Sequence, residues 1–462
     1  MYSIMLELQE LEKLYDQVKD QGLKDFKKFL EFKSISSDLD HIKDVKACAN
    51  WLADYLQKRG LHIDMWDTDG HPVIFATHLK AGPDKPTLLL YHHYDVQPVV
   101  PLEEWENPPF KPEIHDGQIY ARGAQDNKGQ CFYTILAITS ILEKTGSLPV
   151  NLKILIEGEE EIGSPSLPAW LEKKRDEVKA DYLAIVDVGM KNRTTPAVTL
   201  GARGIVTMDV IIDGTNSDLH SGTHGGIAFN PLHALVQVLG KLRDENGVVQ
   251  VPGFYDNITE LTEEEKKVVS LSFDEQDYHE TFGQKPTGGE RHISPGKRLG
   301  LRPTLEINGL NGGFTGMGFK TVIPARATAK LSCRLVPDQN PKKVGQSIAD
   351  FIQSHAPDGI DINVHVHPGT GIALRTNVNS KIVKAFSQAY QEVFDIPAEY
   401  ILEGGSIPIS ATLSEMCGGD TVFVGLGLAD DQIHAPNEHF GVRRFKKGFL
   451  SIGRALSILS QL

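Results

Sequence analysis

The chain has 462 residues, 40% of them hydrophobic and 23% charged, with a formal net charge of -14. A chain of that length and composition is expected to fold into more than one globular domain. Its acidity, without a dense Lys/Arg block to track phosphates, argues against nucleic acid and anionic membrane as partners.

The opening stretch, MYSIMLELQELEKLYDQVKD, lacks a basic segment followed by an uninterrupted apolar core, and reads as an amphipathic helix and not a signal peptide. Residues 44–58 place Val45, Cys48, Trp51, Leu52, Tyr55 and Leu56 on one helical stripe. Nearly all-apolar strands are expected at Thr87–Tyr91, Leu152–Ile156 and Leu183–Val186, with a crossover helix over 129–143. Strands apolar on both faces belong in a sheet covered by helices on both sides, so the fold class is α/β, a three-layer α/β/α domain. After Gly204 the pattern changes. A half-exposed strand over 205–213 precedes a helix at Pro231–Leu242, then polar loops with short elements over 253–300. Residues 326–336 alternate sharply, with Ala327, Ala329, Leu331, Cys333 and Leu335 opposite Arg326, Thr328, Lys330, Ser332 and Arg334. A helix at Lys342–Ser354 and a strand at Ile362–Val366 complete a second, α+β domain with a one-sided sheet. The α/β style returns with helix Ser380–Phe394, strand Thr421–Leu426 and a final helix from Arg444 to Leu459. The expected organisation is therefore 1–204 and 380–462 as two parts of one catalytic domain, with 205–379 inserted between them.

Four separated cysteines, Cys48, Cys131, Cys333 and Cys417, form no CxxC pair and read as packed small side chains in a reducing compartment. No segment approaches the roughly 18 uncharged apolar residues of a membrane span, and the expected location is the cytoplasm.

The chemistry-bearing residues collect at strand ends. His93 and Asp95 lie two apart just beyond a buried strand, which in extended chain points both the same way; Asp95 then suits the carboxylate that orients a ligating imidazole. By itself the pair reads better as chance or as a turn carboxylate. Asp126 sits in a polar loop, RGAQDNKG, entering a helix, where Asp126 or Asn127 also suits a helix cap. Strand Leu152–Ile156 runs into Glu157-Gly-Glu-Glu-Glu-Ile-Gly163, four carboxylates that repel unless a cation compensates them. Asp187 closes a third strand and His434 follows a fourth across a loop. Ligands beyond the carboxyl ends of successive strands follow the general rule for open α/β sheets, and a shared metal site is the preferred reading.

These residues lie in motifs that resemble the M20 family of metallopeptidases, in the long-lid branch of cytosolic nonspecific dipeptidase and carnosinase. The motifs are YHHYDVQP (91–98), ARGAQDNKG (121–129), EGEEEIGS (157–164), DLHSGTHGG (218–226), KTVIP (320–324), CRLVPDQ (333–339), EGGSIPI (403–409) and HAPNE (434–438), together with the Asp187 strand end. The resemblance implies a dimetal catalytic domain with an inserted lid and dimerisation domain. It makes Asp126 the carboxylate bridging two divalent ions, zinc first with manganese or cobalt as alternatives. His93 and Asp187 would complete one ion's protein ligands, Glu161 and His434 the other's. Glu160 would be the general base that activates a metal-bridged water against the peptide bond of a dipeptide or very short peptide, and Asp95 would orient His93. His220 would reach the active site of the opposite subunit in a homodimer. Arg334 would anchor the substrate carboxylate, and Glu403 with Ser406, and Thr321 of KTVIP, would line the substrate site.

Two positions depart from the family pattern: His92 stands where glycine is common, and Asn127 where a second aspartate is usual. Because the bridging position Asp126 is intact, an active centre is expected, with metal affinity the property open to change. The alternative function is an N-acyl-amino-acid deacylase or desuccinylase of the same superfamily, against which Glu403 weighs, since a carboxylate suits a cationic amine. A noncatalytic metal scaffold is a third reading, and it leaves no use for a base at Glu160.

Overall fold

A computed structural model describes residues 6–462. The N-terminal helix runs Leu8–Leu30; residues 1–5 of the expected amphipathic segment lie outside the described residues. The larger domain is built on a nine-stranded sheet. At its centre Asn151–Glu157, Thr87–His93, Tyr182–Val186 and Asp420–Val424 lie side by side and parallel. Val73–His78 and His62–Trp66 extend one side antiparallel, and Ala197–Ala202 the other.

Alternate residues of these strands enter two separate cores. Ile74, Leu88, Leu90, Ile154, Val186 and Val424 pack under the long helices Leu8–Leu30, Ile42–Gln57, Lys128–Thr145, Lys381–Phe394 and Val442–Leu459. On the opposite face Phe75, Leu89, Leu155, Ile185 and Phe423 meet the shorter helices Leu167–Lys173 and Ser410–Cys417. The sheet is covered on both sides, as its uniformly apolar strands require. The crossover helix Lys128–Thr145 is buried over 128–142 because it lies between the sheet and the N-terminal and C-terminal helices. All four cysteines are free and buried. No helix among the described residues is long and apolar enough to cross a membrane.

The inserted domain carries an antiparallel four-stranded sheet ordered Thr304–Gly312, Arg326–Leu335, Gly204–Asp213, Ile362–Val366. Strand Gly204–Asp213 alternates buried and half-buried. Val206, Met208, Val210 and Ile212 join Ala327, Ala329, Leu331 and Cys333 in a core under helices Pro231–Lys241 and Pro341–Ser354. Among the described residues the opposite face carries no helix-covered core, so periodicity two is strong in Gly204–Asp213 and Arg326–Leu335.

The two crossings between domains run antiparallel. Ala202 pairs with Leu374, and Ile205 exchanges backbone hydrogen bonds with Gly371. At Gly204 a Cβ would stand 2.5 Å from the Gly371 carbonyl oxygen, so the close approach needs glycine. The return to the large sheet therefore occurs at Leu374–Arg375, ahead of the expected 379/380 boundary. A two-residue strand is too short to register as periodicity.

Candidate metal centre

Parallel pairing brings the carboxyl ends of three strands together. His93 ends Thr87–His93, Glu157 ends its neighbour, and Asp187 follows Val186. The loop carrying Asp126 and the loop carrying His434 close over these ends.

His93 is fully buried. Its Nε2 stands 3.1 Å from Asp126 Oδ1 and 3.7 Å from Asp187 Oδ2, while Nδ1 lies 3.1 Å from the Asp95 carbonyl oxygen and 3.3 Å from Asp95 Oδ1. With Nδ1–H donated to Asp95, Nε2 faces two carboxylate oxygens, an arrangement that calls for a positive charge, supplied by a proton on the ring or by a cation that replaces it. Burial disfavours a protonated ring, but Asp187, Asp126 and Asp95 outweigh it and raise the His93 pKa well above the ordinary range.

The second cluster is similar. His434 Nε2 lies 3.0 Å from Asp126 Oδ2 and 3.2 Å from Glu161 Oε2. Asp126 thus turns one oxygen to each histidine. The ligand atoms of His93, Asp126 and Asp187, and those of Asp126, Glu161 and His434, form two groups, each within 4.8 Å. Burial opposes charge on Asp126, yet the hydrogen bonds of His434 and His93 hold its carboxyl below the usual range. Three carboxylates and two imidazoles without thiolate suit two borderline divalent cations, so the residues present fit a dinuclear centre.

The hydrogen bonds of His434 with Asp126 and Glu161 push its pKa from 6.5 to about 10. In the metal-free fold this histidine keeps its proton at neutral pH, so its stabilising contribution is complete below 6.5 and is lost as pH rises through about 10. A ligand must shed that proton before it can coordinate. Zinc uptake by chelator-treated protein is therefore expected to release protons at pH 7 and to tighten with rising pH. Calorimetry in two buffers of different ionisation enthalpy measures the release; its absence would contradict the assignment of His434 to this cluster.

The acidic run divides its labour. Glu157 accepts from the Tyr91 and Ser164 hydroxyls, and burial raises its pKa to about 8. Glu159 accepts from the His71 and Ser166 amides. Only Glu160 and Glu161 remain for the site. Their backbone amides donate to the two oxygens of Asp95, at 3.3 and 3.1 Å, so that carboxylate buttresses His93 and the 160–161 turn together. Glu161 joins the second ligand group and receives Gln97 Nε2 at 2.8 Å. Glu160 belongs to neither group. Burial, with the charges of Asp187, Glu161 and Asp126, raises its pKa well above the carboxylate range against the effect of His93.

Arg334 is half-buried on its strand and within electrostatic range of Glu160 and Glu403. Burial lowers its pKa, and among the described residues its side chain makes no hydrogen bond or ion pair. Glu403 accepts from the Gly405 amide at 3.0 Å, and the Ser406 hydroxyl donates to the Gly204 carbonyl at 3.1 Å. His220, on a separate ribbon of Leu219–His220 with Val322–Ile323, meets Thr321 just before that ribbon, Nε2 to Oγ1 3.3 Å. Among the described residues no hydrogen bond or ion pair joins either side chain to the metal-ligand set.

Three residues have functions that their motifs did not disclose. Glu438 is buried and gathers the Asp126 loop. It accepts from Arg122 Nη1 at 2.9 Å and from the amides of Gly123, Gln125 and Asp126 at 2.7, 2.9 and 3.0 Å. Its only sequence signal was its place four residues after His434 in HAPNE. Gln97, in YHHYDVQP, orients Glu161. Arg203, between the two domain strands, donates Nε to the Gly404 carbonyl at 2.6 Å and its amide to that of Gly405 at 3.0 Å, tying the crossing to the turn that bears Glu403 and Ser406.

The family model described as Peptidase family M20/M25/M40 matches residues 89–457. The chain belongs to this family. A β-Ala-His dipeptidase from Rattus norvegicus is 33% identical over 411 residues, covering 84% of this chain and 82% of the relative. The solved structure of the dipeptidase Dug1p from Saccharomyces cerevisiae superposes with a TM-score of 0.88 at 28% identity, covering 99% of each chain. The M20 metallo-carboxypeptidase Sso-CP2 from Sulfolobus solfataricus gives 0.86 at 33% identity, with 96% of this chain and 99% of that one covered. Membership makes the two clusters the dinuclear centre of a metallopeptidase fold, with the four-stranded domain as the inserted lid.

Proposed function

We propose that the chain is a bimetallic dipeptidase, cleaving the peptide bond of dipeptides or very short peptides with Glu160 as general base. The observation that carries this reading is Glu160 itself: a half-buried carboxylate adjacent to ligand-group residue Glu161, yet outside both ligand groups. A site built only to hold metal has no use for it. The relatives named as dipeptidases support the same reading.

Two divalent ions bound by His93, Asp126 and Asp187 and by Asp126, Glu161 and His434 supply the Lewis acidity that makes water a nucleophile near neutral pH. Zinc suits these ligands first, with manganese and cobalt as substitutes. Glu160 takes the proton as the water oxygen bonds to the peptide carbon, then delivers it to the leaving nitrogen as the C–N bond breaks. The raised proton affinity of Glu160 in the metal-free fold falls when cations arrive beside it, which brings it toward the range a base needs. Asp95 holds His93 and the 160–161 turn in place. Arg334, whose guanidinium makes no hydrogen bond or ion pair among the described residues, presents a forked donor to the terminal carboxylate. Glu403 and the Ser406 turn receive the amino end, and Thr321 positions His220.

His220, which makes no hydrogen bond or ion pair with the ligand set among the described residues, completes the site of a partner in a homodimer and stabilises the oxyanion. The buried free thiols support a cytoplasmic location. The test is hydrolysis by metal-reconstituted protein of free dipeptides, β-alanyl dipeptides, and N-acetyl and N-succinyl amino acids. Free dipeptides are expected to be turned over best; a preference for the acylated compounds would replace this reading with the deacylase one, for which Glu403 is the wrong charge.

A further inference from the structure

The two residues that depart from the family pattern, His92 and Asn127, touch each other directly beneath the first ligand group. Both are fully buried. Asn127 Nδ2 contacts the Val186 carbonyl oxygen at 2.8 Å and Asp187 Oδ1 at 2.5 Å. The Val186 carbonyl can only accept, so the Asn127 side chain has one admissible orientation: its NH2 faces Val186 and Asp187 and its Oδ1 faces away. Oδ1 then lies 3.1 Å from His92 Nδ1. An amide oxygen cannot donate, so Nδ1 of His92 must carry the hydrogen. His92 Nε2, the bare nitrogen of that tautomer, is buried without a partner. The donor chain runs one way, His92 to Asn127 to Asp187.

We propose that His92 and Asn127 form a neutral relay that sets the rotamer of Asp187 for the first metal ion, occupying Oδ1 so that Oδ2 faces His93. They are positioning residues, and the inference rests on the reading of Asp187 as a metal ligand. The relay needs both members. An aspartate at 127 would put a second carboxylate oxygen at the position now held by Nδ2, against Asp187, where two anions meet unless they share a proton. A residue at 92 without an N–H leaves the Asn127 oxygen unsatisfied and the amide free to turn. Histidine at 92 and asparagine at 127 therefore belong together. Partners of this kind commonly contribute about 10- to 100-fold to metal affinity.

The experiment measures zinc dissociation constants of the full chain by chelator competition, with melting temperature of the metal-free protein as a separate readout. His92→Leu keeps the volume and removes the donor; His92→Gln keeps a donor. The leucine variant is expected to bind the first zinc about 10-fold more weakly, within the range for such partners, with its metal-free melting temperature near that of the parent. The glutamine variant is expected to recover most of the affinity. Asn127→Asp should lose at least as much, and adding His92→Leu to it should cost little more, because both break one relay. Zinc affinity unchanged in His92→Leu and Asn127→Asp, or losses that simply multiply in the double variant, would overturn the relay. Asp187→Asn serves as reference. If it too leaves zinc affinity unchanged, the ligand assignment fails; if it alone weakens binding, the assignment stands and the relay does not.

Discussion

Glu160→Gln protein is expected to retain both metal ions and lose its turnover by about 10²- to 10⁴-fold, the range of a positioned general base. Glutamine keeps the shape and one carbonyl oxygen but cannot accept the proton from water. Because Glu160 lies in neither ligand group, metal content measured by elemental analysis should stay at the parent value. Retained turnover would remove the base assignment, and loss of one ion would make Glu160 a ligand. The same variant tests the dimer. His220→Ala should also be crippled, yet mixed with Glu160→Gln it should recover some activity, since one site of the mixed dimer then combines an intact Glu160 with an intact His220. No recovery in confirmed mixed dimers would count against the crossed arrangement.

Glu438→Ala is expected to be the most destabilising single change near the centre. Glu438 and Arg122 are each 1% exposed and paired at 2.9 Å. Removing the carboxylate leaves a guanidinium buried with, among the described residues, the Pro98 carbonyl and the Trp105 ring as partners. Breaking such a pair costs about 3–5 kcal/mol, more than the pair's net contribution, because the surviving charge stays desolvated. Three loop amides lose their acceptor as well, so Asp126 loses its fixed place and zinc affinity should fall together with the denaturant midpoint. A loss below about 1 kcal/mol, the scale of a surface pair, would show that the loop reorganises without Glu438.

The strands that proved most legible were those with an environment uniform along their length. Thr87–His93, Asn151–Glu157 and Tyr182–Val186 are apolar because both faces are covered, and Arg326–Leu335 alternates because one face is. Strands His62–Trp66, Ala197–Ala202, Thr304–Gly312 and Glu399–Glu403 escaped the sequence reading. Thr304–Gly312 lies at the edge of its sheet with an irregular register, and His62–Trp66 edges the larger one, so neither is held to a clean period. The acidic run Glu157–Glu161 showed a similar limit. Four carboxylates advertised a cation, but one partner each of Glu157 and Glu159, the Tyr91 hydroxyl and the His71 amide, comes from 66 and 88 positions away.

By itself, the sequence determined the layered α/β class, the insertion and the donor types of the centre. Burial periodicity and motif chemistry are local properties, written in the order of residues. Only the tertiary structure decided which oxygen of Asp126 faces which histidine, that Glu438 gathers the bridging loop, and that His92 bonds Asn127. Those are meetings across 308, 312 and 35 positions of chain. Hydrogen bonds depend on direction and on a few tenths of an ångström, and no spacing along a chain carries either until the strands have paired.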